Sequence, residues 1–403
     1  MEEEWYYGKY NSNLESELET RMILGMLDME QDPFTRYLTS LGTLADSFEG
    51  LGVLVEIYGE YFIIDEVSSE HASIDGLKVG DILTKVNGTD IKNITLTELN
   101  KLITQTNTVN FTLIREGQTM DVVSSIQKYE PITIFTKEYP NASYVKITEF
   151  NLDTASSLES YFKTLSTENS NLILDLRGNP GGYISAVQEV LDLFVGANKV
   201  VMTTINKKGV HNVVKTVNGS FYVFDKIVVM IDENSASGAE ALAAALNYHL
   251  DDIVTLYGNK TYGKGSAQKT YYFSDGTYFH YTYALWYTPA GETINKVGVS
   301  PEVYDANLGI SSLSFSGVEL KKYDYGNNVL YVQALLNSLG YDVTLHAFVD
   351  DKMVEAIKQY QQDYNLQQTG NVDNSTIRHM LKLIYDDKQI QLQNQLDAVL
   401  GSL

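Results

Sequence analysis

The spacing of apolar and polar positions changes three times along this chain, and each change marks a different architecture. Residues 14–38 place Leu18, Met22, Leu24, Met26 and Leu27 at helical spacing as far as Asp32 and Pro33, where the proline ring cannot continue a helix. From Phe48 to Tyr129 the spacing shortens to that of strands, at 52–57, 61–65, 81–86 before an Asn87-Gly88 turn, and 109–115, with one amphipathic helix over 95–104. Residues 130–311 alternate strand and helix. The runs 171–176 and 226–231 read as buried-type strands, each followed by a loop of small residues and a helix, the first reaching Phe194 and the second covering 239–246. That repeat predicts a mainly parallel α/β core whose ligand sites lie beyond the carboxyl ends of the strands. Residues 271–287 read as an aromatic hairpin turning at 274–277, its Tyr and Phe stripe forming a sheet face. Beyond Ser316 the helical period returns at 329–339, 353–364 and 376–384, separated by loops containing Gly340 and Gly370. The final stretch, 387–403, reads as a polar, Gln-rich helix that packs on a partner surface or frays. The expected divisions are 1–47, 48–129, 130–311, 318–386 and 387–403.

Composition narrows the functional classes. A chain of 403 residues exceeds one ordinary core, and roughly two to four domains are expected. The 52 acidic and 29 basic residues give a net charge of -23, which argues against nucleic acid and against anionic lipid headgroups. The absence of cysteine removes disulfides, thiolate zinc sites and cysteine nucleophiles, and is compatible with life outside a bacterial cytoplasm. No run approaches the roughly 18 apolar residues that cross a bilayer. The opening Met1-Glu-Glu-Glu-Trp5 is no signal peptide, so any signal or membrane anchor is expected to lie outside these residues.

The candidate chemistry sits in two short neighbourhoods, Asn234-Ser-Ala-Ser-Gly-Ala-Glu240 and Thr261-Tyr-Gly-Lys-Gly-Ser-Ala-Gln268. Ser237 precedes a small, apolar helix, which places its hydroxyl where unpaired N–H groups and the helix dipole favour an oxyanion. Lys264 lies between Gly263 and Gly265 with no carboxylate within several residues on either side. A lysine acts as a base only when neutral, so its reference pKa near 10.4 must fall by roughly two to three units through burial. Gln268, neutral and four residues on, is placed to orient that amine. The N–H of Gly238, with one from Gly181 or Gly182 in the loop Arg177-Gly-Asn-Pro-Gly-Gly182, supplies two donors for an oxyanion.

Two other readings fail on residue type. Gly258-Asn-Lys-Thr-Tyr-Gly-Lys-Gly265 nearly spells a phosphate loop, but Gly265 replaces the required hydroxyl and a strand pattern follows instead of a helix. The six histidines are scattered, with no zinc-helix spacing and no Ser-His-Asp context, so no metal or other cofactor is expected.

With these residues in order, the chain resembles the C-terminal processing (tail-specific) Ser/Lys peptidases over nearly all of residues 14–303. The likeness is carried by Gly25-Met-Leu27 with Asp32-Pro-Phe-Thr-Arg-Tyr-Leu38, by Gly50-Leu-Gly-Val53 with Leu77-Lys-Val-Gly-Asp-Ile-Leu-Thr-Lys-Val-Asn-Gly88, and by Asp175 to Gly182. It continues through Ser235 to Glu240, Gly263 to Gln268, Thr288 to Ile294 and Gly298 to Pro301. Ala239 departs from the pattern, since relatives usually carry a second serine there, and the connection near 249–255 is slightly longer. Residues 326–384 separately resemble a peptidoglycan-binding three-helix module through Val332-Gln333-x-Leu-Leu-x-x-Leu-Gly-Tyr341, Ala356-Ile-Lys-x-Tyr-Gln361 and Thr369-Gly-Asn-Val-Asp373.

The resemblance implies an α/β multidomain protein: an α/β ClpP/crotonase-like peptidase core, an inserted PDZ domain and a C-terminal three-helix module. It implies a serine endopeptidase with nucleophile Ser237, base Lys264 and base-orienting Gln268, cleaving proteins near exposed, apolar C-termini without a cofactor. The substrate's end would be held at Gly50, Leu51, Gly52 and Val53 of the PDZ loop, and Arg115 is a candidate for coupling that domain to the active site. It further implies association with peptidoglycan outside the membrane, no nucleic-acid partner, and a homodimer, since relatives dimerise through terminal helices. The alternative is a catalytically silent adaptor built from the PDZ and wall-binding modules. A glycan hydrolase is disfavoured because no carboxylate pair occupies the two special loops.

Overall fold

The computed structural model describes residues 34–38, 48–165, 170–218, 222–273, 277–305 and 317–403. The helical spacing over 14–33 and the turn residues 274–276 lie outside the described residues. Two compact units result, one of Asp46–Ile132 with Asp305–Ser402, the other of Thr133–Tyr304 with Met1–Ala45. The first described strand, β1 (Arg36–Leu38), belongs to the second of these units.

The strand-rich half of the first unit contains β2 (Phe48–Gly50), β3 (Val53–Tyr58), β4 (Tyr61–Val67), α1 (Glu70–Asp75), β5 (Ile82–Val86) and β6 (Thr89–Asp90). It continues with α2 (Leu96–Ile103), β7 (Thr108–Arg115), β8 (Gln118–Ser125) and β9 (Gln127–Tyr129). The alternation read from sequence buries Phe62, Ile64, Leu83, Phe111 and Leu113 in one core with Leu99 of α2. Helix α2 begins on a capping box in which Thr95 and Glu98 satisfy each other's backbone N–H groups. The strand order is β3-β4-β5-β7-β8, so among the described residues β3 is an edge strand.

In the other unit, β10 (Ile134–Tyr139), β11 (Ala142–Ile147), α3 (Thr154–Phe162), β12 (Asn171–Asp175), α4 (Ile184–Asp192), β13 (Val200–Asn206), β14 (His211–Lys215) and β15 (Lys226–Ile231) come first. Then follow α5 (Gly238–His249), β16 (Val254–Gly258), β17 (Ser266–Tyr272), β18 (Tyr278–Tyr287) and β19 (Val303–Tyr304). One sheet has the order β10-β11-β12-β15-β16-β19, parallel from β11 to β19 and antiparallel only at β10. The expected parallel core is therefore present, and buried runs such as Leu172–Leu174 are sheet interior covered on both faces. Helix α5 is buried on nearly every side, at Ala239, Ala241, Leu242, Ala243, Ala245 and Leu246. Its small residues let neighbours approach closely, and truncating Leu242 to alanine would cost about 2–5 kcal/mol. A second, antiparallel sheet joins β1, β18, β13 and β14, with β17 on β18, the aromatic hairpin read from sequence.

Three helices complete the first unit: α6 (Asn327–Ser338), α7 (Asp351–Asp363) and α8 (Asn374–Ser402). Val332, Leu336, Ile357, Tyr360 and Met380 form their shared core. The segment 387–403, expected as a separate helix, is instead continuous with the third helix as far as Ser402. No glycine or proline lies at the junction over 384–388 to interrupt the hydrogen-bond ladder. The same helix packs on the strands of its own unit. Arg378 donates from Nε to Gly59 O at 2.7 Å, from Nη1 to Ile94 O at 3.1 Å and from Nη2 to Tyr61 O at 3.1 Å. Its guanidinium lies 5.4 Å from the Phe62 ring centre, and Tyr385 meets Tyr58 edge-on at 5.7 Å.

Candidate active site

Three loops after the parallel strands β12, β15 and β16 are tied together by hydrogen bonds. In the first, Asp175 accepts from Arg177 Nε at 2.9 Å, from Arg177 Nη2 at 2.6 Å and from Tyr144 Oη at 2.7 Å. Burial alone would raise the Asp175 pKa, but the Arg177 charge and these donors prevail and hold it below the ordinary carboxylate value. In the second loop, Asp232 Oδ1 accepts from Gly178 N at 2.9 Å and from Ser235 N at 2.9 Å, while Ser235 Oγ donates to Leu176 O at 2.8 Å. Ala236 N donates to Asn179 O at 2.9 Å, and Tyr262 N of the third loop donates to Ser235 O at 3.0 Å.

Ser237 caps α5 with φ 53° and ψ -109°, a backbone conformation that costs a non-glycine residue about 1–3 kcal/mol and persists only where its surroundings enforce it. The enforcing group is Glu240, fully buried three residues on. Its carboxylate accepts from Ser237 N at 2.7 Å, Thr261 Oγ1 at 2.6 Å, Gly263 N at 2.7 Å and Lys264 N at 3.0 Å. One carboxylate thus holds the backbone of both the serine and the lysine. Burial keeps its pKa above the usual value, although Thr261 and the three N–H groups act to lower it. In the sequence Glu240 stands out only as the last residue of the Ser235 to Glu240 motif. The Ser-x-x-Glu spacing, a capping-box signature, was the available signal.

Lys264 is half-buried, its backbone carbonyl accepting from Trp286 Nε1 at 2.9 Å. Burial lowers its pKa, Arg36 adds to that and Glu240 opposes it. Its ammonium lies 5.0 Å from the Phe34 ring centre. Gly265 is required beside it, since a Cβ there would meet Asn295 N at 2.4 Å.

Two of the expected site residues have hydrogen-bond partners of their own in this structure. Gln268, expected to orient the lysine amine through its carbonyl, is itself held by its amide nitrogen, which donates to Ser266 Oγ at 2.8 Å and Thr282 Oγ1 at 3.2 Å. The β17–β18 register shifts between Ala267 and Gln268. Gly181 was offered as an oxyanion donor, but its N–H is spent on Asn179 Oδ1 at 2.8 Å. Gly182 and Gly238 are the other two glycines expected to offer N–H groups there. They approach so closely that a Cβ on Gly238 would lie 3.4 Å from Gly182 N. Among the described residues no hydrogen bond joins Ser237 Oγ to the Lys264 amine, and no cluster of acidic groups and histidines could hold a metal ion.

In the strand-rich half of the other unit, the loop at Gly50, Leu51, Gly52 and Val53 turns its carbonyls inward. Ser69 Oγ donates to Leu51 O at 3.1 Å, and Ser68 N donates to Gly52 O at 2.8 Å. Gly52 has φ +66°, and a Cβ there would strike Ser69 at 2.2 Å. Arg115, a candidate coupling residue, is committed within its own domain. It forms a two-pronged pair with Asp81, at 2.7 Å from both Nε and Nη2, and donates to Gly76 O at 2.6 Å.

Residues 141–304 match peptidase family S41, residues 44–114 match a PDZ domain and residues 325–380 match a peptidoglycan binding domain. The chain is 30% identical over 401 residues to the carboxy-terminal processing protease CtpA of Bacillus subtilis, covering 95% of this chain and 85% of that protein. It is 28% identical over 413 residues to a "Probable CtpA-like serine protease" of Staphylococcus haemolyticus, covering 99% of this chain and 81% of the relative. A solved S41 protease structure from Bacteroides fragilis shares the fold with TM-score 0.53 and 15% identity, over 71% of this chain and 82% of that one. The chain therefore belongs to the carboxy-terminal processing protease family and is a serine-type peptidase.

Proposed function

We propose that Ser237 is the nucleophile and Lys264 the general base of this peptidase. Turnover then requires the Lys264 side chain to leave the Phe34 ring and reach the Ser237 hydroxyl. Neutral Lys264 takes the Ser237 proton as Oγ attacks the peptide carbonyl. The oxyanion is bound by Gly182 N and Gly238 N, the proton passes to the leaving amine, and water resolves the acyl-enzyme. Gln268 receives the lysine amine once it has moved. The observation that carries this reading is the Glu240 carboxylate, which fixes the backbone of both residues in one cluster. Substrates are polypeptides with exposed, apolar C-terminal tails. Such a tail adds to the edge of β3 while its carboxylate meets the N–H groups of Gly50, Leu51, Gly52 and Val53. The helical module attaches the enzyme to peptidoglycan outside the cytoplasm.

Ser237→Ala and Lys264→Ala should each abolish cleavage of a tailed peptide while circular dichroism stays unchanged; cleavage by either variant at the parent rate refutes the assignment. Because the folded pKa of Lys264 is depressed, kcat/KM should rise with pH through an apparent pKa below that of free lysine. An acyl-serine probe separates this enzyme from a silent adaptor, which would remain unlabelled.

A further inference from the structure

The helical module carries an aromatic surface that the peptidase chemistry does not use. Tyr323, Tyr325 and Phe348 are exposed to 66%, 84% and 38% of their areas, an outlay of apolar surface that folding alone does not explain when three rings share one spot. The Tyr323 and Phe348 ring centres are 6.3 Å apart and tilted by 37°, and His346 lies 6.3 Å from Phe348.

The rings stand on a rigid base. Tyr325 and Phe348 face each other across an isolated antiparallel bridge, Tyr323 N donates to Val349 O, and Val349 N donates to Asp324 O, both at 2.9 Å. Beneath them Gln333, fully buried, spends its amide on the same loop. Its Oε1 accepts from His346 N at 3.1 Å and Ala347 N at 3.0 Å, and its Nε2 donates to Phe348 O at 2.9 Å. Tyr323 has φ 79° and Ala347 φ 56°. A bulky side chain in the left-handed region is strained, and such strain is retained where the surroundings or a ligand require it. Lys322 and His346 form a polar rim, paired with Asp351 at 2.6 Å and Asp350 at 3.1 Å respectively.

We propose that Tyr323, Tyr325 and Phe348 form the platform on which this module binds the N-acetylated glycan strand of peptidoglycan. This deepens the wall-binding part of the proposed function and rests on it. The faces of a pyranose ring present C–H groups of weakly positive character, which suit the negative faces of aromatic rings. The polar rim can bond acetamido and hydroxyl groups at the edge of such a stack. Charge selects among wall components. With a net charge of -23 the chain gains nothing from anionic wall polymers, whereas a neutral sugar strand is read by stacking and hydrogen bonds.

The test uses the full chain, sedimented with purified peptidoglycan stripped of anionic polymers, and a soluble N-acetylglucosamine oligomer followed by Tyr fluorescence. Tyr325→Ala, at a site too exposed to disturb folding, should weaken both associations by about tenfold or more, with cleavage of a tailed peptide unchanged. Tyr323→Gly should also weaken binding while raising the thermal midpoint, because it relieves the positive φ; a residue with a purely structural role would not move these two readouts in opposite directions. Retention of the parent should be nearly independent of salt. If the parent sediments and both variants sediment equally, the platform is wrong although wall binding stands. If the parent itself stays in solution, the wall-binding reading fails and takes the platform with it. Binding that collapses on adding salt overturns the stacking argument in favour of a charged ligand.

Discussion

Arg177 and Arg378 are both almost fully buried, at 6% and 4% exposure, yet the two units neutralise them in opposite ways. In the peptidase unit Arg177 is met by a buried carboxylate, Asp175, through a two-pronged pair. In the other unit no carboxylate lies within ion-pair distance of Arg378 among the described residues, and three backbone carbonyls do the work. A buried ion pair is expensive to break on one side only, because the survivor keeps its charge without its partner. A cation on carbonyls instead joins two segments whose polar groups would all be hydrated if they separated. The first arrangement suits a site corner that must not move; the second suits a joint between a helix and a sheet.

The largest effect should come from breaking the pair on one side. Arg177→Met leaves Asp175 uncompensated and should cost about 3–5 kcal/mol in denaturant unfolding, whereas the double variant with Asp175→Asn should recover much of that loss. Arg378→Ala removes three charge-assisted hydrogen bonds and should destabilise its own unit by about 2–3 kcal/mol. Arg378→Lys should restore only part of this, since an ammonium lacks the planar fork that reaches three carbonyls.

A pH series sharpens the contrast further. The folded pKa of Asp175 lies below its ordinary value, so the stability it contributes is complete above the unfolded pKa and is lost as pH falls through the folded one. The penalty of Arg177→Met should therefore shrink in acid, below about pH 4. The penalty of Arg378→Ala should stay level there, because carbonyls do not titrate. Smallest is Lys382→Met, which removes a partly exposed pair with Asp386 and a contact 4.6 Å from the Tyr58 ring centre; a thermal shift corresponding to less than about 1 kcal/mol is expected.

Much of this architecture could be read before any coordinates. The apolar runs Leu172–Leu174 and Ile227–Ile231, each followed closely by a loop of small residues, identified the parallel core, because strands covered on both faces carry such runs. Alternation in 61–65 and 109–115 identified the strands of the small domain. What remained hidden depended on contacts with no local trace. The shifted register at Ala267 in the β17–β18 ladder is invisible to spacing along the chain. Gly181 looked equivalent to Gly182 until Asn179 was seen to occupy its N–H. Phe34 and Arg36 reach Lys264 from more than two hundred positions away. Arg378 bonds to groups separated from it by 284 to 319 positions, which no periodicity can reveal.

Helix α8 spans 29 residues without a break, about 44 Å from end to end at the usual rise, and it serves as the third member of the helical bundle while clasping the turn between β3 and β4. A rod shared in this way leaves no swivel. Fastened to a solid support by its bundle, the molecule would offer the open side of β3 at one set attitude. Polypeptides in solution would then have to thread themselves to it, and reach from the anchoring point would be governed by their own slack.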